Sequence, residues 1–322
     1  MKSYRQYLLE AAAKKEKQGE FKLAAPGKQV PDELVKHLGS LDAAAGKHKV
    51  DFSHHQGVQL LDRTRRAISA HGTSPLTFNS VPGPEYIEGS YDFQSHTVSL
   101  GAPPKEYITQ KNKKRREAFI GTGYLAMGHE LGHHFDHLVP GGAIHAVAAE
   151  KSKSDFTDPI ARDAAAIKQA HSENRWNTPS TDQVAHLTHT LGQAGFTHTN
   201  MGTDRLSSLI MAVHNHRPLV AATAIGNQNT TFSMEDTAHA ITGKSQAEPG
   251  LLRVGGVSHG DLYYHALGQQ YNNPGGGLIR EAEAVANIHA AVHGMGERRS
   301  SFLAHTFFPN TTHTLLHRLA SV

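Results

Sequence analysis

Cysteine is absent from the 322-residue chain. Without it, the chain can build neither a disulfide framework nor a zinc site with thiolate ligands. Hydrophobic residues are also scarce, at 38% of the sequence, and aromatic residues make up only 7%. The chain is nevertheless long enough for one large domain with subdomains, or for two domains. We therefore expect a protein with many loops and no covalent cross-links.

Long apolar runs are missing as well. No stretch of the sequence approaches the length that a membrane span requires. The first twenty residues lack the continuous apolar core of a signal peptide. We therefore expect no membrane span. We also expect that any export of the protein follows a leaderless route, for example into another cell. A protein that is not exported would be cytoplasmic.

Charge of one sign is not concentrated in the chain. The net charge is +3 with histidine neutral, and the one dense basic block is the KNKKRR run at Lys111–Arg116. Aromatic residues do not alternate with these basic residues, as they do at many nucleic-acid interfaces. We therefore expect no nucleic-acid partner.

An amphipathic helix is the clearest pattern in the sequence. It covers Arg116–Leu138, where apolar residues recur at steps of three and four: Ile120, Tyr124, Met127, Leu131, Phe135 and Leu138. This spacing places them on one face of a helix, which should be buried. We call this segment the predicted metal helix because of what its other face carries.

His129 and His133 lie one turn apart on that other face, with Glu130 beside them. Two imidazoles at this His-Glu-x-x-His spacing can converge on a tetrahedral zinc ion, and Glu130 is placed to take a proton from a water on the metal. The chain has 25 histidines, so the motif alone would arise by chance in roughly one shuffled chain in ten. The clean apolar stripe opposite the histidines supplies the context that favours a zinc site.

Gly128 and Gly132 lie inside the predicted metal helix. Each costs a helix roughly 1 kcal/mol relative to alanine. Two explanations stay open: tight packing against another helix, or space beside the metal for a ligand or for backbone.

The remaining patterns indicate an α+β chain that is mainly helical. Candidate strands lie at Leu76–Asn79 and Ser90–Leu100, on either side of a turn-rich segment. Helices are predicted at Tyr4–Lys17, Pro31–Leu38, Gly57–Ala70, Lys105–Gln110, Asp204–His214, Asp261–Gln270 and Leu278–His293, and at Ser154–Asn174 with a start near Pro159. We divide the chain into an N-terminal helical region (residues 1–72), a core with the strands and the metal helix (73–174), an insertion of helices and loops (175–258) and a C-terminal helical part (259–322).

A catalytic zinc site needs a third protein ligand. A histidine six residues after His133 would define a metzincin, but Val139 stands there. Asp136, one turn beyond His133, is expected to orient a ligand histidine rather than to bind the metal. Glu281 and Glu283 are the better candidates, because they lie on a helix of small residues that can approach the metal helix closely. The residues alone do not choose between these two glutamates.

Three segments resemble the catalytic domain family of anthrax lethal factor. His129–Asp136 (HELGHHFD) is similar to its H-E-x-G-H-x-x-D run, Ser154–Asn174 to the helix that follows, and Glu281–Asn287 (EAEAVAN) to its E-A-E-x-x-A-E helix. The resemblance implies a zincin-like metallopeptidase fold with a small mixed sheet and a large helical insertion. It also implies that Glu283 is the third zinc ligand.

The family pattern also assigns supporting residues. Asn287 stands where the family has a glutamate behind the ligands, so an amide would have to support the site. The family's tyrosine that assists the oxyanion has no counterpart, because Gly276 occupies the equivalent position. Tyr271, Tyr264 or the adjacent Tyr263 could replace it.

The resulting hypothesis is a zinc endopeptidase of the gluzincin type, resembling secreted bacterial effector or toxin proteases. His129, His133 and Glu283 would bind Zn²⁺, and Glu130 would act as the general base. A protein or peptide substrate would lie extended beside the Tyr91–Leu100 strand. Two alternatives stay open: a catalytically inactive zincin-like scaffold that binds a protein partner, and a zinc hydrolase acting on non-peptide bonds.

Overall fold

A computed structural model describes residues 30–47, 56–71, 76–81, 89–101, 113–172, 176–225, 234–242, 276–293 and 297–322. This part of the chain is mainly helical and contains a small mixed sheet, as the sequence predicts. The first helices and the strands are α1 (Asp32–Lys47), α2 (Gln56–His71), β1 (Thr77–Val81), β2 (Gly89–Asp92) and β3 (Thr97–Gly101). The helices that follow are α3 (Lys113–Leu138), α4 (Ala143–Ala148), α5 (Thr157–Ser172), α6 (Thr181–Gln193), α7 (His198–Met201), α8 (Thr203–His214), α9 (Pro218–Ile225), α10 (Met234–Thr242), α11 (Gly276–His293), α12 (Glu297–Phe307) and α13 (Pro309–Ala320).

The predicted strand Ser90–Leu100 is wrong as a single element. It is instead a hairpin, in which β2 and β3 are antiparallel and residues 93–96 form the turn. The Asp92 carboxylate accepts hydrogen bonds from the Gln94 N–H at 2.9 Å and the Ser95 hydroxyl at 2.6 Å. Such local bonds from an aspartate side chain to the residues just after it are typical of a turn. The segment rich in serine and threonine therefore contains a turn that reverses the chain direction.

The sheet has the order β1-β3-β2, with β1 parallel to β3. The candidate strand at Leu76–Asn79 is confirmed, since β1 begins at Thr77. Within the described sheet β3 is central and β2 lies at the edge, against α3. The edge strand near the metal helix is therefore only Gly89–Asp92.

The apolar stripe of the predicted metal helix is confirmed in α3. All six of its residues are buried: Ile120, Tyr124, Met127, Leu131, Phe135 and Leu138. They join one core that also includes residues of α1, α2, α11 and the sheet. The opposite face of α3 is therefore turned towards the polar groups described below.

Helix α11 packs along α3 over much of its length. Its small residues permit close contact: a Cβ placed on Gly132 would lie 3.0 Å from the Ala286 Cα and 3.0 Å from the His289 Cβ. This contact supports tight packing against another helix as a reason for glycine at residue 132. The apolar residues of α11 are buried on several sides, because α10, α12 and α4 also pack against it. A single apolar stripe does not describe this helix.

Other predicted helices are found with shifted ends. Gly57–Ala70 corresponds to α2, Asp204–His214 to α8, and Pro31–Leu38 to the longer α1, which continues to Lys47. Helix α1 continues because Leu41, Ala44 and Ala45 extend its buried side beyond Gly39. The helices predicted at Tyr4–Lys17, Lys105–Gln110 and Asp261–Gln270 lie outside the described residues.

Candidate metal centre

His129 and His133 project from α3 towards one point. Their Nε2 atoms are 3.0 Å apart, and their rings meet edge to face with centroids 4.6 Å apart. Side chains four residues apart in a helix lie above one another on the same face, which explains this approach. The sequence spacing therefore produces the expected pair of imidazoles.

Glu283 completes the group from α11. Its Oε2 lies 3.3 Å from His129 Nε2, and its Oε1 lies 3.6 Å from His133 Nε2. All three side chains are largely buried: the exposed fraction is 14% for His129, 9% for His133 and 12% for Glu283. Among the described residues these three form the one histidine and carboxylate group compact enough to hold a metal ion, with ligand atoms within 4.8 Å of one another.

The spacing of these atoms fits a tetrahedral cation. Ligand bonds of about 2.0–2.1 Å at tetrahedral angles place neighbouring ligand atoms about 3.3 Å apart. The two imidazole Nε2 atoms, 3.0 Å apart, lie near that value, and each Nε2 has one oxygen of the Glu283 carboxylate at 3.3 or 3.6 Å. Two imidazole nitrogens and one carboxylate are also a donor set that suits zinc and its neighbours in the periodic table.

The structure separates Glu283 from the other glutamate candidate. Glu281 Oε2 accepts hydrogen bonds from the Ser154 hydroxyl at 2.6 Å and from the Thr157 hydroxyl at 3.0 Å. Two residues along a helix correspond to a rotation of about 200°, so Glu281 and Glu283 point to opposite sides. Glu281 therefore ties α11 to the start of α5, while Glu283 faces the histidines.

The electrostatics of the group favour a bound cation or proton. Burial by itself would lower the pKa of His129, but the hydrogen bond to Glu283 and the charge of Glu130 more than offset it and raise that pKa to about 9. In the metal-free protein His129 therefore carries a proton at neutral pH, beside the Glu283 carboxylate. A metal ion would take the place of this proton.

Asn287, one turn after Glu283, supports His129 from behind. Its Oδ1 lies 3.0 Å from His129 Nδ1 and accepts the hydrogen bond from that ring nitrogen. A ring that donates through Nδ1 presents Nε2 to a metal, which is the usual way that outer groups orient a ligand histidine. The amide of Asn287 thus makes the contact that the resemblance implies for this position.

Glu130 is buried against the edge strand. A Cβ on Gly89 of β2 would lie 2.5 Å from Glu130 Oε1 and 2.6 Å from its Cγ, so a side chain at residue 89 would force the Glu130 side chain to move. Gly89 was not among the site residues predicted from the sequence. The signal was a glycine immediately before the candidate strand at Ser90–Leu100, because close approach of another group is a common reason for glycine in or beside a strand.

Asp136 has a different role from the expected one. Its two carboxylate oxygens accept backbone N–H bonds from Ala143 at 2.9 Å and Ile144 at 2.7 Å, at the start of α4. Burial raises the pKa of Asp136 to about 6, against the opposing effect of these two bonds. Its described hydrogen bonds thus shape the turn that follows α3 and do not reach His129 or His133.

The tyrosines proposed for oxyanion stabilisation, Tyr271 and Tyr264, lie outside the described residues. A tyrosine that the sequence analysis did not single out stands beside the histidines instead. Tyr91 of β2 stacks on His133 with ring centroids 6.4 Å apart and planes inclined by 16°. A strand residue two positions after Gly89 shares its face of the sheet, and this periodicity could have identified it.

Comparison with protein-family models, with curated proteins and with solved structures finds no match. Among the described helices, none is both long and apolar enough to cross a bilayer. The metal centre is therefore interpreted from its own geometry.

Proposed function

We propose that the protein is a zinc-dependent endopeptidase with a zincin-like fold. The observation that carries the proposal is the convergence of His129, His133 and Glu283, with Glu130 adjacent in sequence to the first ligand. The ligands come from two helices whose close contact depends on Gly132. A zinc ion in this group would make a coordinated water acidic at neutral pH and would polarise the carbonyl of a peptide bond.

Three other side chains would have separate roles in the reaction. Glu130, as a carboxylate, accepts the proton of the attacking water and then delivers it to the nitrogen of the departing amine. Asn287 keeps His129 in the orientation that presents Nε2 to the metal. Glu283 supplies the negative charge that a buried cation requires.

The substrate would bind as an extended strand beside β2. Because β2 is the edge strand of the described sheet that lies against α3, a peptide paired with it by backbone hydrogen bonds would pass the metal centre. Only Gly89–Asp92 is suited to this pairing, since the rest of the Tyr91–Leu100 segment turns back into the sheet.

The test is the substitution Glu130→Gln, which keeps the size of the side chain and removes its basicity. The wild-type protein and the variant are loaded with zinc and incubated with a proteome-derived peptide library, and new termini are counted by mass spectrometry. We expect the variant to hold one zinc per chain and to cleave 10²–10⁴-fold more slowly, the range that general bases contribute. Glu150→Gln is the matched control, because Glu150 is exposed after α4.

Two results would contradict the proposal. Unchanged cleavage by the Glu130→Gln variant would refute the assigned base. A wild-type protein that holds one zinc per chain and cleaves nothing in the library would favour the alternative, a catalytically inactive scaffold that binds a protein partner.

A further inference from the structure

Strand β2 presents two residues to the metal helix. Gly89 and Tyr91 lie two positions apart and so share one face of the strand. Gly89 lies against Glu130, and Tyr91 lies against His133 and the next turn of α3. The edge strand therefore contacts the proposed base and one of the proposed ligands.

The hydroxyl of Tyr91 is surrounded by three imidazoles. It lies 3.2 Å from His96 Nδ1, 3.1 Å from His134 Nδ1 and 3.0 Å from His137 Nδ1. A phenol can donate one hydrogen bond and accept two, so these three contacts use its full capacity. The Tyr91 O–H donates a hydrogen bond to one of the three Nδ1 atoms, and the other two rings donate to the phenolic oxygen through Nδ1–H.

Two of the three imidazoles also support each other. The rings of His96 and His137 stack, with centroids 4.6 Å apart and planes inclined by 4°. The hydroxyl end of Tyr91 is therefore fixed.

The aromatic ring of Tyr91, and not its hydroxyl, lies beside a proposed ligand. Its ring is nearly parallel to that of His133, at a separation within the 4.5–7 Å range of favourable aromatic pairs. A histidine ligand must keep its ring plane to direct Nε2 at the metal. A neighbouring ring that cannot turn would limit the rotation of His133.

We propose that Tyr91 is a positioning residue of the metal centre, which holds the His133 ring in its ligand orientation while the imidazoles of His96, His134 and His137 anchor the Tyr91 hydroxyl. The inference rests on the metal site of the proposed function and concerns metal retention. It also separates Tyr91 from an oxyanion-stabilising tyrosine, because no donor is left on its hydroxyl for a substrate.

The experiment measures how fast the zinc-loaded protein loses metal to excess chelator. Tyr91→Phe removes only the anchor, and Tyr91→Leu removes the aromatic ring as well. Outer groups that orient a metal ligand contribute about 10–100-fold to metal affinity. We expect zinc to dissociate about 10-fold faster from Tyr91→Phe and about 100-fold faster from Tyr91→Leu. The cobalt(II)-loaded variants should show altered d–d absorption, which a purely structural role would leave unchanged.

Tyr124→Phe provides the matched control. Tyr124 lies on α3 and is buried, and its hydroxyl donates a hydrogen bond to Asp42, on α1. Its loss should lower the free energy of unfolding and leave zinc dissociation within about twofold of the wild-type rate, because the lost hydrogen bond joins α3 to α1 and involves no residue of the metal centre. If the Tyr91 variants do not fold, His96→Asn replaces one anchor in the turn. Asparagine tolerates the positive φ of 52° there, and zinc loss should be a few-fold faster.

The outcomes separate the two proposals. A wild-type protein that holds no zinc would overturn the proposed function and this inference with it. A wild-type protein that holds zinc, with Tyr91 and His96 variants that release it at the wild-type rate, would overturn the inference alone. Equal acceleration by Tyr124→Phe would also overturn it, because the effect would then follow general stability.

Discussion

Replacing Gly132 by alanine tests whether the contact between α3 and α11 sets the geometry of the metal centre. The new Cβ would lie 3.0 Å from both the Ala286 Cα and the His289 Cβ. Carbon atoms pack best at about 3.5–4.0 Å, and neither neighbour is the flexible end of a long side chain. The two helices would therefore have to separate by about 0.5 Å.

The expected magnitude follows from two opposing effects. Alanine is about 1 kcal/mol better than glycine inside a helix, while an extra methyl group in a packed contact costs about 1–3 kcal/mol. The net effect on the free energy of unfolding should be a loss of up to about 2 kcal/mol. Movement of α11 also withdraws Glu283 from His129 and His133, so zinc should dissociate faster.

The assay is urea unfolding of the metal-free protein, followed by zinc dissociation from the loaded protein. Gly39→Ala is the control, because Gly39 lies inside α1, is exposed and has no atom within 4 Å of the position of a new Cβ. The free energy of unfolding of this control should increase by up to about 1 kcal/mol, and the control should keep its zinc. If Gly132→Ala were stabilised as much as the control and held zinc equally well, the reasoning about the helix contact would be refuted.

Three further predictions concern the metal ligands and the base. Because the pKa of His129 is raised to about 9 in the metal-free protein, a metal must displace a proton below that pH. The apparent zinc affinity should therefore rise about tenfold per pH unit between pH 7 and 9, and a flat profile in competition titrations would contradict the raised pKa of His129. Asn287→Ala should weaken zinc binding about 10–100-fold, whereas Asn287→Asp should retain zinc binding because it keeps an acceptor for His129 Nδ1. Equal zinc affinities in the two variants would argue against the role of Asn287 in orienting His129. Gly89→Ala should displace the Glu130 carboxylate and reduce cleavage without loss of zinc, and a normal kcat in this variant would show that the strand does not constrain the base.

The sequence predicted the metal helix because its signal is local. Periodicity placed Met127 and Leu131 in the core and His129 and His133 on the other face, and the structure has the same arrangement. The strand prediction failed at residues 93–96 because the hydrogen bonds of Asp92 that form the turn depend on side-chain geometry that composition does not reveal.

Residues that depend on helix packing were harder to assign. Glu281 and Glu283 differ only in which side of α11 they occupy, and the residues alone cannot say which side faces α3. The position of Asp136 on the ligand side of α3 suggested a partner histidine, but the chain turns after Leu138 and brings the N–H groups of α4 to its carboxylate. Tyr91 and Gly89 could be recognised only once a strand lay against the helix.

By itself, the sequence determined that two imidazoles and a carboxylate would lie together on the polar face of one amphipathic helix, because residues one turn apart share a face. Only the tertiary structure decided which distant residues would meet them. Close contact at Gly132 brought Glu283 and Asn287 to the histidines, and the edge strand brought Gly89 and Tyr91. These contacts join residues far apart in the chain, and their geometry is fixed by how helices and strands pack, which no local pattern specifies.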